Sequence, residues 1–259
     1  WAPSVDALMQ AVPDGKAGDE LLAAACSKIT RLEAKVDCLR RAVARSPEDA
    51  ALRGQLADFL IQALRSKQWP CSGARAEDCA QEAERDARAM AKLDPKSWRP
   101  GYLLAKILLV RGDPKGAAAL LAKVCPTDAE SKDCAREALN TAIATHSDEA
   151  ILSSANAYAA RACENSSSCA AALDWVGSTL EAGGKLAFAV AFYSKAAETD
   201  NSAARWVHVA DRAIQAQLFG LARTALERAM RSPDASNNTR AHVEQLSRRV
   251  ERAIGDRSL

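Results

Sequence analysis

The chain has 259 residues, and its 35 Lys and Arg nearly balance its 33 Asp and Glu, leaving a formal net charge of +2. That balance excludes the concentrated basic surface that nucleic-acid phosphates call for, and a content of 48% hydrophobic with 26% charged residues excludes disorder. Aromatics are scarce at 5%, alanine abounds, and no apolar run reaches the roughly eighteen residues of a membrane span, so the composition predicts helices packed on helices.

The segment opening at Trp1 carries neither the basic n-region nor the apolar h-region of a signal peptide, and a lipid anchor upstream of residue 1 stays open. Ser4 is placed to cap a short helix that ends at Pro13-Asp14-Gly15. Four close cysteine couples follow, Cys26/Cys38, Cys71/Cys79, Cys125/Cys134 and Cys163/Cys169. Gly112-Asp113-Pro114 reads as a turn with proline at the start of the next helix. A final helix runs from Asn238 to about Ile254, its stop marked by Gly255. This last segment holds the densest basic stretch, Arg240, Arg248, Arg249 and Arg252, which Glu244 and Glu251 interrupt as on a solvated helix face.

Zinc sites favour cysteine pairs about two to four residues apart. None of the couples has that spacing, and His146, His208 and His242 lie far from the cysteines in sequence, so no metal or other cofactor is expected. Eight cysteines admit on the order of 100 pairings, and the couples point to the nearest-neighbour set: Cys26–Cys38, Cys71–Cys79, Cys125–Cys134 and Cys163–Cys169. Each bridge closes a short loop worth about 2–3 kcal/mol on the chain-entropy model. Disulfides persist in oxidising compartments, which predicts a periplasm, a cell surface or a secretory lumen. The other reading is of buried, reduced cysteines acting as small hydrophobes.

Two stretches share a period of about 34 residues: LDWVGSTLEAGGKLAFAVAFYSKAAETDN from Leu173 and WVHVADRAIQAQLFGLARTALERAMRSPD from Trp206. In the first, Gly177, Gly184, Ala189, Tyr193 and Ala196 recur at small, glycine, alanine, aromatic and alanine places. In the second, Trp206, Ala210, Ala222, Leu226 and Ala229 fill the pattern, with Gln217 where glycine is usual. This resembles the tetratricopeptide repeat, whose small residues stand where the two helices of a hairpin cross. Upstream, Ala23, Leu39, Ala42 and Pro47 fit a first repeat, with Lys35 where the pattern takes alanine. Leu56, Ala57, Leu60, Ala83 and Pro95 fit a second, whose helices are parted by about fourteen extra residues holding Cys71 and Cys79. Leu104, Ala105, Leu108, Gly112, Ala117 and Leu121 fit a third, and Leu139, Ala155, Ala159 and Ala162 a fourth.

The resemblance implies an all-α, disulfide-stapled α-α superhelix. Its parts are a short N-terminal helix over 1–15, six hairpins over 16–49, 50–97, 98–131, 132–169, 170–202 and 203–236, and a capping helix over 237–259. Gly183-Gly184-Lys185 superficially matches the end of a phosphate loop, but Thr179 stands where that loop needs glycine, and the stretch becomes an inter-helix turn.

Local catalytic signatures such as G-x-S-x-G, H-E-x-x-H and G-x-G-x-x-G do not occur, so a non-enzyme is expected. In the family, inward first-helix positions line a concave groove. Carried over, these are Gln55, Asp58 and Gln62, then Arg99, Tyr102 and Lys106, then Asp174, Trp175 and Ser178, and last His208, Asp211 and Gln215. Tyr102 and Trp175 are the candidate anchors, the other reading being partly buried core. His208 reads as an exposed histidine, with a pH-sensitive contact as the alternative. The groove's mixed charge lacks the Lys/Arg clamp of chaperone-binding members, which implies a helical or extended peptide segment of another protein as ligand and no nucleic acid. The chain is loosely similar to six-repeat envelope lipoproteins such as type IV pilus pilotins. That implies a scaffold or adaptor of a periplasmic or outer-membrane assembly serving secretion, pilus, motility or polysaccharide export. The alternative is a secreted or surface-exposed module that binds a host, cell-wall or carbohydrate ligand.

Overall fold

A computed structural model describes residues 5–12, 15–125 and 132–255. Ser4, Pro13 and Asp14, expected to bound the first helix, lie outside the described residues. The described residues form α-helices and one 3-10 turn, with no strand among them. They fall into two compact units, 1–126 and 127–259, each with its own apolar core.

The first unit contains α1 (Val5–Ala11), α2 (Lys16–Lys28), α3 (Leu32–Arg45), α4 (Ala50–Ser66), α5 (Ala76–Leu93), α6 (Arg99–Val110) and α7 (Pro114–Val124). Helix starts follow from local chemistry. The Asp49 carboxylate accepts from the amides of Ala51 and Leu52 at the head of α4, and Asp113 accepts from Gly116 ahead of Pro114 at the head of α7. Leu52, Leu56, Leu60 and Ile61 recur at helical spacing on α4 and are fully or almost fully buried. Polar ties cross the same packing. Arg40 on α3 grips Glu82 on α5 with two hydrogen bonds of 2.9 and 2.6 Å, and Arg53 on α4 meets the buried Asp86 on α5 at 2.7 Å. Burial pushes the Asp86 carboxyl above its ordinary range in spite of Arg53, the usual cost of placing a charge in a helix interface.

The second unit contains α8 (Lys132–Thr145), α9 (Asp148–Ala162), α10 (Ser166–Ala182), α11 (Leu186–Asp200), α12 (Ala203–Gln215), α13 (Phe219–Arg231) and α14 (Asn237–Gly255).

Cys26–Cys38 ties α2 to α3 with 5.6 Å between Cα atoms, and Cys163–Cys169 spans the α9–α10 link. Cys125 and Cys134 are also disulfide-bonded, and among the described residues no cysteine is free. Cys71–Cys79 corrects one expectation. The extra residues there do not form a long insertion holding both cysteines. They are shared between a nine-residue link, 67–75, that holds Cys71 and longer helices, α4 and α5 being 17 and 18 residues, and Cys79 lies on α5 itself. Acidic Glu77 and Asp78 in the first turn and the Glu84–Arg88 pair one turn apart favour that extra helix.

Five hairpins turn in one way. Lys67, Gly112, His146, Gly184 and Gln217 adopt φ of 52°, 80°, 57°, 73° and 60° at the end of the first helix. The next amide then reaches back five residues in four of them: Gln68 to Ala63, Asp113 to Leu108, Lys185 to Leu180 and Leu218 to Ala213, at 2.8–3.0 Å. This is the Schellman closure, which satisfies the last carbonyls of a helix and reverses the chain.

Within the α10–α11 hairpin the helices touch at Gly177. A Cβ there would lie 2.5 Å from Cε1 of Tyr193, so hydrogen is the one substituent the ring accepts. The α12–α13 hairpin places Ala210 and Leu226 at the matching crossing, a larger first residue facing a smaller second one, both buried. Gly177→Ala is therefore expected to destabilise the chain by about 1–3 kcal/mol in urea unfolding. Adding Tyr193→Leu should recover part of that loss, and a Gly177→Ala chain as stable as the parent would contradict the packing.

Candidate protein-interaction faces

Gln55, Asp58 and Gln62 lie on α4, and Arg99, Tyr102 and Lys106 on α6. Asp58, Gln62 and Lys106 come together around a cavity of about 440 Å3. Lys106 closes an ion pair with Asp58, the lysine side chain 12% exposed and the carboxylate 50%. The same ammonium sits 5.1 Å from the centre of the Tyr102 ring, and Trp98 meets that ring edge-on at 5.5 Å. Tyr102 is thus half-buried and held from two sides. Gln55 accepts a 3.2 Å hydrogen bond from Ser27 on α2; neither it nor the exposed Arg99 lines the cavity.

In the second unit, Asp174, Trp175 and Ser178 lie on α10, and His208, Asp211 and Gln215 on α12. Asp174 is ion-paired with Arg205, which also holds Asp200 at 2.7 Å. Trp175 packs against Tyr158 of α9 with ring centres 4.4 Å apart. The exposed Ser178 hydroxyl donates to the Trp175 carbonyl. Asp211 accepts from Gln215 and pairs with Arg249 of α14, both at 2.9 Å. A separate cavity of about 520 Å3 is lined by Val207, His208, Asp211, Asn238, Thr239 and His242. Trp175 and Ser178 stand outside it.

No family model and no curated protein sequence matches the chain. Solved structures match it by shape. The APC/C hetero-tetramer Cut9–Hcn1 aligns with 93% of this chain at 12% identity and a TM-score of 0.51, and this chain spans 44% of that one. The C-terminal part of a TPR repeat-containing protein from Cytophaga hutchinsonii aligns with 83% of this chain and 77% of its own, at 11% identity and a TM-score of 0.51. The fold is the tetratricopeptide-repeat fold. Pseudomonas aeruginosa PilF aligns with 80% of this chain and 87% of its own at 15% identity and a TM-score of 0.38. Tetratricopeptide arrays are protein-interaction scaffolds whose hairpins expose extended helix faces. No described helix is long and apolar enough to cross a membrane.

Set against the tetratricopeptide register, one expectation changes and several residues are new. His208 is half-buried rather than exposed, packed edge-on against the Tyr193 ring at 4.6 Å. Burial lowers its pKa from the ordinary 6.5, and the Arg212 charge adds to the shift against the opposing pull of Glu181 and Asp211. The register gave Tyr193 only a packing place and missed Glu181 and Arg212. The Tyr193 hydroxyl donates to Glu181 at 2.9 Å, and Arg212 pairs with that carboxylate at 3.1 Å. Burial first, then the Glu181 hydrogen bond, holds the Tyr193 hydroxyl well above its usual pKa. The signal lay in Tyr193 itself, since a buried tyrosine needs a partner for its hydroxyl. Asn238, Thr239 and His242 were missed because α14 was read as a cap, and a cap helix still shows one flank to the cavity beside it.

A histidine with a depressed folded pKa contributes stability that is present above the unfolded value of 6.5. That contribution is lost as the pH falls through the folded value, because the unfolded chain takes up the proton first. The urea midpoint is expected to drop between about pH 7.5 and about pH 5 by more in the parent chain than in His208→Asn. Equal drops in both would remove the buried, neutral histidine from the account.

Proposed function

We propose that the chain is a non-catalytic scaffold or adaptor that takes a helical or extended segment of a partner protein, and that it works in the cell envelope, in the periplasm or at the outer membrane. The carrying observation is the pair of half-buried aromatic side chains, Tyr102 between Lys106 and Trp98 and Trp175 against Tyr158. Aromatic groups already fixed by their neighbours lose little freedom on binding, which is what makes an anchor effective. The disulfides support an oxidising compartment. Envelope assemblies for secretion, pili, motility or polysaccharide export are the systems in which such an adaptor would serve.

Crosslinking and pull-down from an envelope fraction under oxidising conditions tests the reading. Tyr102→Ala and Trp175→Ala are each expected to weaken recovery of the partner by about tenfold or more, with circular dichroism unchanged. Undiminished recovery with both variants would exclude these two faces.

A further inference from the structure

We propose that Cys163–Cys169 is a thiol-exchange site, opened by an external thiolate that adds to Cys163 and expels Cys169. Exposure singles it out. Cys26, Cys38, Cys71, Cys79 and Cys134 are 0%, 0%, 1%, 3% and 0% exposed, so every other couple has at least one fully buried member, Cys125 being partly buried like Cys163. Cys163 and Cys169 are both only partly buried. A disulfide exchanges only with a thiolate that can approach its sulfur, so accessibility ranks this bridge first.

The flanking helices give the exchange a direction. Cys163 stands at the C-terminal end of α9, where helix carbonyls disfavour a thiolate; Glu164, which follows it, is ion-paired with Lys132. Cys169 lies in the opening turn of α10, behind the Asn165–Ser168 capping box. Its side chain leans toward the helix N-terminus, where free amides favour a thiolate. The thiol with the lower pKa leaves faster. A small thiolate therefore forms a sulfur–sulfur bond with Cys163 as the Cys163–Cys169 bond breaks, and the electron pair departs on Cys169. With a dithiol, its second thiolate attacks the mixed disulfide, frees Cys163 and leaves as the oxidised cyclic disulfide. The two electrons that reduce the bridge come from that dithiol. The capping box holds α10 in place meanwhile. The bridge closes the same α9–α10 joint that the Tyr158–Trp175 contact crosses. Opening it would loosen the Trp175 anchor, a consequence that rests on the binding reading above, whereas the exchange itself does not.

Brief exposure of the native chain to reduced glutathione, acid quenching and peptide mass spectrometry tests the site. The glutathione adduct is expected on Cys163, with Cys169 as the free thiol, in about tenfold excess over every other cysteine. In Cys163→Ser, alkylation of Cys169 by iodoacetamide against pH should titrate below the ordinary thiol value of about 8.5. An adduct chiefly on Cys169, comparable opening of another bridge, or a Cys169 titration at or above the ordinary value would overturn the proposal. None of these outcomes depends on whether Trp175 binds a partner.

Discussion

Two helices approach closely only where one of them carries a hydrogen or a methyl group at the crossing, and the second unit is arranged around such a place. At Gly177 the Tyr193 ring rests where any Cβ would collide. The ring's position then fixes its hydroxyl, which is delivered to Glu181. Glu181 in turn receives Arg212 from α12, and His208 packs edge-on with the same ring. A packing requirement at one glycine thus sets the partners of four polar side chains on two further turns of helix. Where the next hairpin uses Ala210 and Leu226 instead, the crossing presents no hydroxyl.

The fold was legible where it depended on residue size. Gly177, Ala189, Ala196, Ala210, Ala222 and Ala229 occur at a spacing that only stacked hairpins use, and all are buried. The turns were half legible. Gly112 and Gly184 announce a left-handed residue, but Lys67, His146 and Gln217 adopt the same backbone with φ of 52°, 57° and 60°. There the conformation is imposed by the helices on either side, and residue type gives no warning. Lys35 seemed to break the pattern at a place for alanine. Its flexible stem passes the crossing and sets the ammonium 4.4 Å from the centre of the Phe59 ring, so length and flexibility substitute for smallness.

The candidate faces were legible as positions and not as contacts. A register assigns Asp58, Asp174 and Asp211 to an exposed helix face, yet each is already paired, with Lys106, Arg205 and Arg249. Those partners come in each case from the helix after next, and no counting along a single hairpin reaches them. The same limit hid Asn238, Thr239 and His242, since the repeat pattern ends before α14 begins. His208 was misjudged for a related reason: its burial is set by a ring on another helix.

Internal pairing changes what these faces offer a partner. Ion pairs that remain partly exposed contribute only about 0–1 kcal/mol each, so a partner's charge that replaces one of them gains little net energy. Recognition must then lean on shape and on aromatic surface, of which Tyr102 and Trp175 are fixed examples. Pairing is also uneven. Lys106 is largely covered while Asp58 stands in solvent, so the first unit presents a carboxylate there; in the second, Arg249 is the more exposed member of its pair with Asp211. By both anchor rings the carboxylate is the more exposed member of its pair, Asp58 by Tyr102 and Asp174 by Trp175, although the chain as a whole is close to neutral. A partner segment that engages either face meets a local charge of definite sign beside a rigid ring, which sets its orientation and register even where it adds little to affinity.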